Sequence, residues 1–325
     1  MKDYMIDASV RLVCNYADLP FKADIDESLA HRVTERVSVA LERTNDAYAY
    51  LLPSGLEDVK RRSLTEKRLL HPDTASAPYS VLYLRMDGNV SVQTALYDHA
   101  AVCAYSKDGD LKSALQLARH IRHQLSSAGV LAKDPDYGYL TAHPCDAGTG
   151  MRASVLLHLP VLQLLKQLPV ALRTALSHGA ILRPATNDMS VEKGGMYLLE
   201  NRAALGKNAE EMADDLLKNA ERIIDFEKGL RLKGSESKDG LAFDAAWRAY
   251  GLARYARRMT QKDVLNTWSH LTMGVSIGAF ALSEATLEGM WSVACGTITQ
   301  NPDDKQTDPD VFRAQQVRQL INGGI

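Results

Sequence analysis

The stretch YSVLYLRMDGNVSVQTALYDHAAVCAYS, residues 79–106, constrains this chain more than any other. Apolar and polar residues alternate through YSVLYLRM and again through NVSVQTALY, the period-two pattern of strands with one face on a core. Asp87-Gly88 joins them, a dipeptide able to take the positive φ of a tight hairpin. AVCAYS reads as a third strand, closed by the turn Lys107-Asp108-Gly109-Asp110. Strands that follow one another without a crossover helix pair antiparallel, since parallel neighbours need a connection of about a dozen residues. The spacing predicts an α+β chain on an antiparallel sheet.

Elsewhere the period is mostly helical. Residues 25–50 carry apolar side chains at helical spacing, and LKSALQLARHIRHQLSSA is amphipathic. RASVLLHL reads as a buried strand, VLQLLKQLPVALRTAL as a helix interrupted at Pro169, and GGMYLLENRAALG as a further strand. Asn208 with Glu211 forms a capping-box pattern that opens a long helix ending near Leu232. KGSESKDG, residues 233–240, is a polar linker without periodicity. Beyond it the pattern is helical, with a capping signal at Thr260 and Asp308-Pro309 as an N-cap followed by proline at the first helical position. The expected organisation is a sheet flanked by helices over residues 1–235 and an all-helical C-terminal domain over 236–325.

Composition narrows function by exclusion. With 38 Lys and Arg against 40 Asp and Glu, the net charge of −2 gives no argument for nucleic acid or an anionic membrane as partner. No apolar run reaches the ~18 residues of a spanning helix. The start MKDYMIDASVRL lacks the basic and apolar blocks of a signal peptide. Cys14, Cys103, Cys145 and Cys295 lie far apart, in neither a disulfide framework nor a zinc pattern. The expectation is a reduced, cytoplasmic protein with no bound metal.

Residues 138–160, GYLTAHPCDAGTGMRASVLLHLP, resemble the signature segment of the ATP:guanidino phosphotransferases, and in particular that of the bacterial protein-arginine kinases, which reads GYLTACPTN and continues VGTGLRAS. Further blocks keep the same order. IDASVRLVCNYADLPF resembles the family's SSRIRLARN block, QTALYDHAAV its NEEDHLR block and LRPATNDMS its RGLYGEGS block. DAAWRAYGLARYARRMT and SHLTMGVSIGAF resemble the C-terminal helical domain of the bacterial enzymes. The resemblance implies a sheet framed by helices and a reaction that moves the γ-phosphoryl of Mg-ATP to a guanidinium nitrogen. Such chemistry rests on arginines that clamp the phosphates, and on acidic side chains and a cysteine at the guanidinium.

Position by position, the resemblance assigns phosphate contact to Arg11, Arg152 and Arg183, with His99 and the loop Gly148-Thr149-Gly150 beside them. Two family arginines are replaced, by Ser9 and Ala101. On the guanidinium side the two glutamates are Leu96 and Tyr97, the cysteine is His143, and the Thr-Asn that follows is Cys145-Asp146. Asp188 keeps a carboxylate where the family has glutamate, flanked by Pro184 and Asn187 in place of glycines. The remaining catalytic candidates are therefore Asp188, His143 and Cys145. An imidazole supplies no thiolate and, when protonated, repels a guanidinium. The family's phosphoarginine-reading RDxxRA motif survives as Asp310 and Arg313 behind Pro309.

The residues also admit plainer roles. The three arginines could form surface ion pairs, the glycines could serve a turn, and His99 could be a hydrogen-bonded core histidine. The reading that follows is a pseudokinase with a residual site for Mg-ATP or Mg-ADP. It would act by association, as a homodimer or as a heterodimer with an active arginine-kinase paralogue. The alternatives are an active kinase for protein arginine or another guanidino acceptor, and a phosphoarginine-binding adaptor.

Overall fold

The structure, a computed structural model, describes residues 4–20, 25–185, 194–236, 240–295 and 308–323. Its centre is an eight-stranded sheet. The strands are β1 (Met5–Cys14), β2 (Tyr48–Leu51), β3 (Val81–Arg85), β4 (Val90–Thr94), β5 (Ala100–Ser106), β8 (Met151–His158), β9 (Ala180–Pro184) and β10 (Met196–Asn201). A separate two-stranded ladder joins β6 (Lys133–Asp134) to β7 (Gly138–Tyr139). The order is β2-β3-β4-β5-β1-β8-β10-β9, and every neighbouring pair is antiparallel. The meander expected over 79–106 is β3-β4-β5, and Gly88 makes its hairpin turn at φ +69°.

Helices α1 (Glu27–Glu42), α3 (Leu111–Leu125) and α6 (Ala209–Ser235) cover one face of the sheet. Ala8, Val10, Leu12 and Cys14 of β1 meet Val33 and Val37 of α1, Leu115 and Ile121 of α3, and Ile223 of α6 in one core. On the other face, Leu156, Met196 and Leu198 enter a second core with α7 (Leu241–Tyr255), α8 (Gln261–Ser276), α9 (Glu284–Ala294) and α10 (Pro309–Gly323). Further along that face, Leu64 of α2 (Asp58–Glu66) packs with Leu69, Leu70, Leu82 and Cys103. A cavity lies between these two groups of helices.

Two expectations need correction. The helix read over 25–50 stops at Glu42, and the chain re-enters the sheet as β2 after Thr44-Asn45-Asp46. Those short polar residues favour turns because their side chains bond to nearby backbone, as Thr44 Oγ1 does to the Leu41 carbonyl at 2.7 Å. The helix marked as interrupted at Pro169 is two helices, α4 (Pro160–Leu164) and α5 (Leu168–Ser177). Lys166, at φ +57°, turns the chain between them. The Asn208–Glu211 capping box forms with both reciprocal bonds, and α6 runs on to Ser235. Residues 237–239 of the linker lie outside the described residues.

Candidate active site

The period of two in β1 sets Asp7, Ser9 and Arg11 on one face of the sheet, opposite the core-facing Ala8, Val10 and Leu12. Register then gathers the sequence-selected arginines. Arg11 stands across from Arg152 of β8 and Cys103 of β5, and Ser9 across from Ser154 and Tyr105. Arg183 arrives on β9. All three arginines line a cavity of about 1310 Å³, walled by α2 and the turn after it on one side and by Gln261, Leu265 and Trp291 on the other. Eight basic side chains against four acidic ones line it, a field that favours an anion.

The arginines are not free of carboxylates. Asp146, only 2% exposed, accepts from Arg11 Nη2 at 2.8 Å and from Arg152 Nη2 at 2.7 Å. One buried anion thus bridges two of the cations that the resemblance assigns to phosphate. Burial opposes the charge of Arg152, but the Asp146 carboxylate outweighs it and holds the guanidinium above its ordinary range. Cys145 accepts a weaker bond from Arg152 Nη2 at 3.3 Å. Arg183 is held by Glu200 of β10 in a two-pronged pair at 2.8 and 3.1 Å.

The loop bearing Asp146 is fixed at both ends. Asp98 accepts from Asn15 Nδ2 and from the Ala142 amide, each at 2.7 Å. Gly148, at φ +107°, packs so closely that a Cβ there would lie 2.5 Å from the Ala204 carbonyl oxygen. Gly150, at φ +68°, lies against the Val13 carbonyl, 2.6 Å from where a Cβ would stand. Thr149 donates both its amide and its hydroxyl to Ala204 O, at 2.9 and 3.1 Å, and the Gly148 amide goes to Tyr139 O. These contacts serve the turn itself. His99 is 1% exposed: its Nδ1 accepts the Tyr16 amide at 2.9 Å and its Nε2 lies 3.2 Å from Pro20 O. Burial lowers its pKa, which suits a neutral core histidine.

On the guanidinium side the rings of Tyr97 and His143 meet edge to face, with centroids 4.9 Å apart, and His71 approaches Tyr97 at 6.0 Å. The Tyr97 hydroxyl donates to Asp73 at 2.7 Å. An aromatic and imidazole cluster thus occupies the region that the resemblance assigns to a carboxylate pair and a thiol. Leu96 adds no polar group there. Asp188 lies outside the described residues. Asp310 and Arg313 pair with each other on the first turn of α10, and Arg313 Nε donates to Met259 O at 3.1 Å. Neither lines the cavity. Among the described residues no group of three or more His, Cys, Asp and Glu is placed to hold a metal ion. No helix there is long and apolar enough to cross a membrane.

Two participants carry no sequence signal: Glu200, and Arg68, which reaches Ser9 and Asp7 from outside the quoted motifs. Asp146 is legible as a carboxylate in place of asparagine, and in the active-kinase alternative it serves catalysis with Asp188, but its pairing with Arg11 and Arg152 is not legible.

An arginine-floored cleft on one face of an antiparallel sheet is the architecture of a phosphotransferase of the guanidino kinase type. The family model for the ATP:guanido phosphotransferase C-terminal catalytic domain matches residues 29–230. A protein-arginine kinase of Desulforamulus reducens is 28% identical over 330 aligned positions, covering 98% of this chain and 92% of that protein. One from an Exiguobacterium species is 27% identical, covering 86% of this chain and 80% of its own. The crystal structure of a lombricine kinase superposes with a TM-score of 0.62 at 20% identity, over 74% of this chain and 70% of that one, and so shares the fold. The chain belongs to the ATP:guanido phosphotransferase family.

Proposed function

We propose that this chain is a catalytically impaired relative of the protein-arginine kinases. In this reading it retains a weakened site for Mg-ADP or Mg-ATP and acts by association. The observation that carries the reading is Asp146 bridging Arg11 and Arg152 at 2.8 and 2.7 Å. Phosphoryl transfer is catalysed by positioning and by neutralising charge on the transferring group. A carboxylate already seated between two clamp arginines offsets that neutralisation and competes with the phosphates. The acceptor side gives independent support, because Tyr97 and His143 present rings where proton removal from a guanidinium needs a carboxylate. A positioned base typically contributes about 10²–10⁴ in rate and a transition-state arginine about 10³–10⁵.

The helical segment from residue 236 onward is the proposed association module, joining a second copy or an active arginine-kinase relative. The test combines a coupled assay on free arginine, small guanidines and unfolded protein with a sedimentation measurement of the mass in solution. Absence of phosphotransfer, with a mass above that of one chain alone or with an active relative, is the expected result. Robust arginine phosphorylation by the purified protein would overturn the reading of impairment, and a strict monomer that ignores every active relative would overturn association.

A further inference from the structure

The family arginine replaced by Ser9 left a notch on the cavity floor, and a guanidinium from elsewhere in the chain fills it. Arg68 follows α2 and sends Nε to Ser9 Oγ at 2.6 Å, while its Nη2 pairs with the buried Asp7 carboxylate. Ser9 Oγ is in turn 2.8 Å from Ser154 Oγ. Two small hydroxyl residues side by side on β1 and β8 make the room that a guanidinium needs. Arg68 thereby lines the same cavity as Arg11, Arg152 and Arg183.

The backbone gives a second, independent reason to read Arg68 as functional. Its φ is +58°, one of three positive values among the described non-glycine residues. It occupies the position after the α2 C-cap, with the Leu69 and Leu70 amides both returning to Leu64 O at 2.9 and 3.2 Å. Helix ends of this geometry favour glycine. A long side chain there carries strain of the kind that gathers at binding sites. Packing does not explain the choice, because the buried anchors of the turn are its neighbours Leu69 and Leu70. What Arg68 contributes is the guanidinium. Of its five N–H donors, three are engaged, to Ser9, Asp7 and the Glu66 carbonyl, and the side chain lines the cavity.

We propose that Arg68 is a polyphosphate-binding residue of this cavity and takes over, from a different element, the cationic role of the arginine missing at position 9. Asp7 sets its orientation. The proposal rests on the reading that the cavity still holds a nucleoside di- or triphosphate.

The test is a charge transposition on the full chain. Titration calorimetry with Mg-ADP, and separately with tripolyphosphate, compares the natural protein with R68G and S9R/R68G. Glycine suits the positive φ, so R68G removes the guanidinium without disturbing the turn, and circular dichroism checks that the fold is kept. R68G is expected to weaken both ligands about tenfold or more, the loss of one charge-assisted contact. S9R/R68G is expected to recover most of that loss, and melts of the unliganded variants separate recovered binding from recovered pairing with Asp7, since a purely structural Arg68 would restore only the unliganded midpoint. Binding by R68G equal to that of the natural protein, or a folded S9R/R68G that stays as weak as R68G, overturns the assignment alone. No binding by the natural protein at millimolar ligand overturns both this assignment and the reading of a surviving nucleotide pocket.

Discussion

Replacing Asp146 by asparagine, the residue of the related signature, separates an occupied clamp from a merely decorated one. Asp146 is 2% exposed, and its arginine partners are only 22% and 28% exposed, so water screens the bridge weakly. Hydrogen bonds to charged groups contribute about 1.5–3 kcal/mol each. Asparagine keeps one oxygen as acceptor but surrenders the charge, which releases at least one arginine for a phosphate. A Mg-ADP affinity gain of ~1.5–3 kcal/mol, about 10- to 100-fold, is the expected size. The unliganded protein should lose stability, because two cations then face each other without an anion between them. That cost lies below the ~3–5 kcal/mol of breaking a fully buried pair, since water reaches both guanidinium groups. The assay is a thermal melt with Mg-ADP titrated over a thousandfold range. D146N should melt lower than the natural protein without nucleotide, and nucleotide should raise its midpoint further. Tenfold tighter binding adds about 1.4 kcal/mol of stabilisation at saturating ligand. A folded D146N whose nucleotide-induced shift equals or falls below that of the natural protein would refute the idea that Asp146 competes with phosphate.

Three further outcomes follow from the geometry. His99 has its pKa lowered by burial, so below the unfolded value of about 6.5 the unfolded chain takes up a proton that the native state resists. Its contribution is fully present above that pH and is lost as pH falls toward the depressed native value. Urea midpoints at pH 7.5 and about 5.5 should differ less in H99Q than in the natural protein, and equal losses would remove His99 from the account. G148A and G150A should each destabilise by more than ~1 kcal/mol, from a positive φ and a carbonyl within 2.6 Å of the new Cβ. G88A, where nothing lies within 4 Å, carries the φ penalty alone, so equal denaturation midpoints for the three variants would discount the close approach. Glu227, fully buried, accepts the Val161 and Leu162 amides at 3.0 and 2.8 Å and Arg231 Nε at 2.9 Å. E227A should cost about 3–5 kcal/mol in chemical denaturation, and a loss under about 1 kcal/mol would show that the network relaxes around the gap.

The parts of this molecule legible in its sequence are those whose signals are local. Asp87-Gly88 sets a hairpin, Asn208 with Glu211 starts a helix, and alternation over 79–106 declares a meander, because each depends on residues a few positions apart. β1 declares itself less well: Asp7 to Leu12 alternate, but the consecutive apolar pairs Met5-Ile6 and Val13-Cys14 flank them, so the period of two is short. β2 was hidden by its brevity, four residues attached to a long helical pattern.

The site divides in the same way. Arg11, Arg152 and Arg183 could be chosen from motifs, yet the carboxylates that hold them could not, because pairing is fixed by register and loop path. Asp146 meets Arg11 across 135 positions of sequence, and Arg68 meets Ser9 across 59. A motif comparison records Ser9 as a lost cation and Asp146 as one atom exchanged. In three dimensions the first loss is filled by an arginine from another element, and the second change places a charge between two others. In the proposed reading the two alterations act in opposite directions on the same anion, and the balance between Arg68 and Asp146 sets the affinity for nucleotide. If that balance is real, D146N combined with R68G should bind Mg-ADP more tightly than R68G and more weakly than D146N. Binding by the double variant equal to that of D146N would mean that Arg68 does not contact the ligand.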